Sequence, residues 1–302
     1  MHKIDIRTRL SETDHWLDFS TLSLFMRCPR QYFWRVRKFI DKADTPALQF
    51  GTAIHAALAL WHKNKDDREA LHEFMKEVAS ITIEDPKRNA TVGIEVLQEY
   101  FDRWRIESYT TLDTEIGFAI DVASLDILTN KPINFIFIGK IDRYIDGPMG
   151  KMVFETKTTT IAGDRWMLRG KPNLQIDGYV AAIYALTGDM PAGGVLDVIH
   201  IHDQASKRKS IGRIITMRDK TDVEKWSRNI SHWFSQIKIC DDLEFYPMNT
   251  ECCVPLMGFS CGYLELCNMY PQPPKDDILL PDSFAIKKWH PYESVVNDLK
   301  GG

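Results

Sequence analysis

The chain has 302 residues, enough for one large α/β unit or about two domains. Apolar residues make up 44% and charged residues 26%, an ordinary globular composition that excludes wholesale disorder. Lys plus Arg total 38 against 42 for Asp plus Glu, a net charge of −4; the balance marks no nucleic-acid binder, although a local basic groove stays open.

No stretch approaches the ~20 apolar residues of a membrane helix, and Tyr179–Leu186 is the nearest. The first residues, MHKIDIRTRLSETDH, carry charges throughout and lack the apolar core of a secretory signal, so a cytoplasmic protein without a membrane partner is expected. Six cysteines in that compartment do not read as a disulfide framework. Cys28 and Cys240 stand apart, while Cys252, Cys253, Cys261 and Cys267 crowd into one short segment, a placement that asks for a metal.

Ser20 to Ile40 reads as helical, with a break at Cys28-Pro29, because proline suits a first helical turn. Gly51–Lys63 is a small-residue helix with Ile54, Ala57, Leu58 and Trp61 at helical spacing. Two further helices are predicted over Arg68–Ser80 and Thr91–Tyr109. Strands follow at Thr114–Val122, Asn134–Ile145 and Lys151–Thr158, the last two joined by the turn Asp146-Gly147-Pro148-Met149-Gly150. Leu174–Leu186 returns to helix, Gly194–Asp203 and Ile211–Met217 read as strands, and Thr221–Cys240 as a helix capped by Thr221. Prolines 271, 273, 274 and 281 limit regular structure at the end. The order implies an α/β fold, a sheet flanked by helices.

The predicted hairpin carries the chemistry. Period-two alternation puts Val153, Glu155 and Lys157 on one face, and the partner strand brings Asp142. Two carboxylates from adjacent strands can share a hard divalent cation, and a lysine beside them supplies charge for a phosphate and a nucleophile. A cross-strand ion pair on a surface hairpin explains the same residues. His55 sits in the small-residue helix, and Gln175 and Tyr179, four apart, project from one helical face.

In this order, CPRQYFW, GTAIHAAL, GKIDRYID, FETKTT, QIDGYV and the terminal cysteines resemble the PD-(D/E)XK nucleases, in their RecB-like branch. That branch includes iron–sulfur exonucleases of CRISPR systems, AddB-type repair nucleases and phage recombination nucleases. The resemblance runs from about Ser20 to Cys267 and implies a restriction-endonuclease-like core sheet. It implies His55, Asp142, Glu155 and the Thr156 carbonyl as ligands of Mg²⁺ or Mn²⁺, Lys157 as the catalytic lysine, and Gln175 and Tyr179 as orienting residues. Glu115 resembles the glutamate that often precedes the hairpin. Ile141 stands where the family's name has proline, which removes no ligand.

The same resemblance implies a [4Fe–4S] cluster on Cys28, Cys253, Cys261 and Cys267, with structural Zn²⁺ as the alternative. Cys252 competes with Cys253, and Cys240 is expected to be a buried apolar cysteine. Arg27–Lys38 holds five basic residues, three aromatics and no acid, so Arg27, Arg30, Arg35 and Arg37 are candidate DNA contacts; an amphipathic helix with its aromatics in the core fits equally. Lys207-Arg208-Lys209 is a second basic cluster.

The expected organisation is an N-terminal extension (1–19), a helical segment (20–110), a nuclease core (111–240), a cysteine segment (241–270) and a tail (271–302). The tail, with Ile278, Leu279, Leu280, Trp289 and Tyr292, could dock on this chain, on a partner protein or on a second copy. The expected function is a metal-dependent DNA exonuclease of recombination, repair or phage replication in the bacterial cytosol. The alternative is a non-catalytic nucleic-acid-binding or assembly subunit.

Overall fold

The computed structural model describes residues 15–42, 46–79, 85–161, 164–208, 212–255, 260–274 and 278–287. Helix α1 (Phe19–Arg27) is capped by Asp18, whose carboxylate accepts from the Thr21 amide at 2.9 Å. It stops at Cys28, which is extended, and Pro29 opens the short α2 (Pro29–Tyr32), which runs into a π-helical turn over Phe33–Arg37. The predicted break therefore falls at Cys28-Pro29.

Helix α3 (Pro46–Asn64) begins earlier than its glycine suggested; Ile54, Ala57, Leu58 and Trp61 are all buried, as their spacing requires. Helices α4 (Asp67–Val78) and α5 (Ala90–Trp104) pack with it around Phe50, Phe74, Leu97 and Phe101. Helix α5 ends five residues before the predicted Tyr109. Glu107 instead turns inward to accept from Arg143 (2.7 Å), Arg213 (2.6 Å) and Lys65 (2.7 Å). A buried carboxylate needs such partners, and a continuing helix would not deliver it to them.

The sheet is mixed and follows the order β1-β4-β5-β6-β7, with β3 paired to β4. Its strands are β1 (Trp16–Leu17), β3 (Thr110–Asp126), β4 (Lys131–Gly147), β5 (Gly150–Thr159), β6 (Gly193–His200) and β7 (Gly212–Met217). Strands β4 and β5 form the predicted hairpin, closed by Pro148 and Met149. Gly150 has φ +95°, a conformation that costs a residue with a side chain more. β5 and β6 are parallel, β6 and β7 antiparallel. β6 stops short of the predicted Asp203 because β5 has run out: the Ile201 amide takes the carbonyl of Thr159, the last residue of β5.

Helix α6 (Leu174–Thr187) packs on β5 and β6. At Gly194 of β6 a Cβ would lie 2.4 Å from Ile176, so the glycine is what lets the helix come that close. Helix α7 (Lys220–Asp242) is capped by Asp219 rather than Thr221: the Asp219 carboxylate accepts from the Asp222 amide at 3.0 Å. Helix α8 (Leu264–Met269) lies among the cysteines. Strands β2 (Ile40–Lys42) and β8 (Phe284–Ile286) form a separate two-stranded antiparallel sheet. Part of the tail thus pairs with this chain itself, whereas Trp289 and Tyr292 lie outside the described residues.

Two compact units alternate along the sequence. One holds the described residues of 44–118 and 140–226; the other holds those of 2–43, 119–139 and 227–302. The first has the α3–α5 core and a second cluster of Ile145, Met152, Phe154 and Val195. The second is built on aromatic contacts, among them Phe135 stacked on Phe234 with ring centres 4.2 Å apart. No described helix is long and apolar enough to cross a membrane.

Candidate active site

The first unit carries the hairpin chemistry. At Arg143↔Phe154 the two strands are still paired. One residue on, Asp142 turns its carboxylate toward β5, and Oδ2 accepts from the Thr156 amide at 2.7 Å. The other oxygen, Oδ1, faces His55 Nδ1 at 3.4 Å, which places the α3 histidine beside the strand. Glu155 is buried and ion-paired with Lys157, the period-two neighbour on its face. Tyr179 is buried, and its hydroxyl accepts from Gln175 Nε2 at 2.8 Å, so the i, i+4 pair forms one unit.

Glu115 joins them. Ligand atoms of His55, Glu115 and Asp142 all lie within 4.8 Å of one another, and Lys140 pairs with Glu115. Glu115 has φ +52°, a left-handed backbone inside a strand. Such strain persists only where the surroundings impose it, and it sits here at the cluster.

The electrostatics are those of crowded negative charge. Burial, and then the nearby Asp142 carboxylate, push Glu155 up to about 7. Burial likewise raises Glu115, against the pull of Lys140. For His55 burial works toward the neutral ring, yet Asp142, with Glu155 and Glu115 behind it, overrides this and holds the imidazole up to about 9. Burial also opposes the charge on Lys157, and Glu155 reverses it, so the ammonium is held above its ordinary range. Glu155 Oε2 is buried, and among the described residues no donor bonds to it. Three carboxylates, one of them with an orphaned buried oxygen, and an imidazole are a donor set that fits a hard divalent cation.

A model of the PD-(D/E)XK nuclease superfamily matches residues 17–268. The chain belongs to that superfamily. Among solved structures, the crystal structure of a "putative exonuclease" from Eubacterium rectale is similar in fold. It superposes with a TM-score of 0.51 at 12% identity, over 88% of this chain and 98% of that one. No curated protein matched.

The second unit of this PD-(D/E)XK chain brings the cysteines together. The Cys28 sulfur accepts from the Asn249 amide at 3.4 Å, and Cys252 from the Asn249 side chain at 3.2 Å. The Cys261 amide donates to the Cys253 carbonyl at 2.8 Å, and Trp34 Nε1 donates to the Cys267 sulfur at 3.3 Å. Burial and then Cys28, Cys261 and Cys252 push the Cys253 thiol up. A thiol pushed up by burial and by neighbouring sulfurs is one whose thiolate a metal centre would stabilise. Among the described residues, no three of these sulfurs gather within 4.8 Å. Cys240 lies apart on α7, where burial pushes its thiol up to about 11.

The arginine expectation needs correction. Arg30 is 2% exposed, and its guanidinium donates to the carbonyls of Tyr246 (3.0 Å), Tyr270 (3.2 Å) and Pro271 (3.3 Å). It ties loops together from a buried position, where it offers a phosphate no exposed basic face. Arg35 pairs with Asp41, six residues on, and Arg37 with Asp241 (Nε to Oδ1, 2.8 Å), a carboxylate remote in sequence that a local pattern cannot show. Arg27 is exposed. Tyr32, Phe33 and Trp34 are core. In the second basic cluster, Arg208 is held by Glu95 and Glu99, while Lys209 is outside the described residues.

Arg30→Met should therefore lower unfolding stability by about 2–4 kcal/mol in urea titration, since three carbonyls, that of buried Tyr246 among them, lose their donor. Lost DNA affinity at unchanged stability would contradict this placement. Sequence reading missed Asn249 and Trp34 as donors to sulfur. Only Asn249, three residues before Cys252, left a signal, as asparagine side chains bond locally.

Proposed function

We propose that the chain is a divalent-metal-dependent deoxyribonuclease acting from DNA ends, with an iron–sulfur cluster that holds its second unit together. The single observation that carries the nuclease reading is the convergence of His55, Glu115 and Asp142, with Glu155 and Lys157 on the adjoining strand, in a superfamily member.

His55, Asp142, Glu155 and Glu115 would hold the cation, with the Thr156 carbonyl beside them. When bound, a divalent cation lowers the pKa of water and neutralises charge gathering on the scissile phosphate. The chain's own part is positional. The Thr156 amide fixes Asp142, and Gln175 and Tyr179 brace the buried end of the group. Lys157 keeps its ammonium on the carboxylate face, where it orients the nucleophile and holds a phosphate oxygen.

End-directed cleavage is supported by the RecB-like motifs and by the fold shared with a protein described as an exonuclease. In the second unit we assign Cys28, Cys253, Cys261 and Cys267 to a [4Fe–4S] cluster. The likeness of CPRQYFW and the terminal cysteines to the iron–sulfur exonucleases of the RecB-like branch supports the cluster, and four thiolates are what such a cluster requires.

Purified protein should degrade end-labelled linear DNA in Mn²⁺ and leave closed circular DNA intact. Equal cutting of both would replace the exonuclease reading by an endonuclease. No cutting of either in any divalent metal would favour a non-catalytic DNA-binding subunit.

A further inference from the structure

Between the two catalytic elements of the first unit, the chain presents apolar side chains to solvent. Strand β5, which bears Glu155 and Lys157, ends at Thr159, and α6, which bears Gln175 and Tyr179, begins at Leu174. In the connection Ile161 is 72% exposed, Met167 53% and Leu168 78%, and Trp166 is half-buried. The Arg169 guanidinium lies 4.8 Å above the Trp166 ring and makes no ion pair among the described residues.

The described parts of this connection are held in place. The Ile161 amide donates to Thr159 Oγ1 at 3.0 Å, and Trp166 Nε1 donates to the Ile161 carbonyl at 3.1 Å. At the other end, Asn173 donates to the Arg169 carbonyl (2.9 Å) and Arg218 to the Gly170 carbonyl (2.8 Å). Arg218 is itself paired with Asp177 of α6 at 2.5 Å. The apolar residues are thus shown to solvent by a braced segment, and Ile161 lies no more than ~14 Å of chain from Lys157.

Isolated apolar residues need no explanation, but a group of them beside a charged site does. An aromatic ring with a cation over it and flexible apolar neighbours can accept the faces of unpaired bases of any sequence, while the guanidinium takes a phosphate. We propose that Trp166, Met167, Leu168 and Arg169 form a stacking platform that receives the unpaired bases of a single DNA strand next to the active site. The proposal rests on the nuclease reading of that site. It makes the substrate at the site a single strand, whether free or peeled from a duplex end.

The test uses Met167→Ser/Leu168→Ser and, separately, Trp166→Ala, in the full chain. A fluorescein-labelled single strand of about 20 nucleotides and the matching blunt duplex measure affinity without metal. The same single strand and bis(p-nitrophenyl) phosphate, a diester too small to reach the platform, measure turnover in Mn²⁺. Both variants should raise Kd and KM for the single strand by roughly tenfold, with kcat within about twofold. Duplex affinity and hydrolysis of the small diester should stay within about twofold. Unchanged single-strand Kd in both variants overturns the platform and leaves the patch to a protein partner. An equal loss for single strand and duplex overturns base stacking. If the wild type turns over neither substrate, the nuclease reading fails, while the two affinity measurements still decide the platform.

Discussion

Asp142→Asn and Glu155→Gln should each abolish cleavage, by about 10³-fold or more, and weaken divalent-metal binding together with it. The amide variants keep size and some hydrogen-bonding capacity, so the fold is expected to survive where alanine at Asp142 would take the acceptor from the Thr156 amide and the neighbour from the His55 ring. Lys157→Ala should lose about 10²-fold in cleavage and keep most of the metal affinity, because an ammonium is no metal ligand and its proposed work is on the phosphate.

The pH dependence has a definite sign. Burial and Asp142 lift Glu155 to about 7, and its carboxylate neighbours lift His55 to about 9 despite burial, so both carry protons that a cation must displace. Metal affinity should therefore rise with pH between about 6 and 9, with protons released on binding. Calorimetry in two buffers of different ionisation enthalpy, beside cleavage with and without EDTA, measures all of this. Wild-type cleavage at full rate in EDTA, or full metal affinity in Asp142→Asn, would remove these residues from the site.

Protein purified without oxygen should be brown and contain about four iron and four sulfide per chain. Cys28 and Cys253 lie in distant parts of the sequence, and Asn249, Trp34 and Arg30 already knit those parts together around the sulfurs. A cluster bound there contributes to folding directly, because the unfolded chain holds no preformed site. Cys28→Ala, Cys261→Ala and Cys267→Ala should bleach the colour and lower Tm by roughly 10 °C or more. Cys240→Ala should do neither, and of Cys252 and Cys253 only Cys253 should matter. Colourless protein with one zinc per chain would replace the cluster and keep the clasp. Variants that melt like wild type and bind no metal would remove both.

The hairpin was readable before any coordinates. The tight turn Gly147–Gly150, the alternation that puts Glu155 beside Lys157, and the four-residue step from Gln175 to Tyr179 are local consequences of backbone period. Local periods survive folding unchanged. So is the break at Cys28-Pro29, since proline has no amide to continue a helix.

What only the tertiary structure decided concerns partners distant in sequence. Glu115 reaches His55 and Asp142 through a left-handed residue in β3; the family resemblance points to it, but no periodicity does. Arg30 and Arg37 look like part of a basic face until Tyr246 and Asp241 are brought to them. The tail contributes β8 to β2 although prolines crowd the segment before it. A charged side chain is neutral information in a sequence: whether it faces water, a carboxylate or a phosphate depends on what the fold places opposite, because burial is affordable only with a partner.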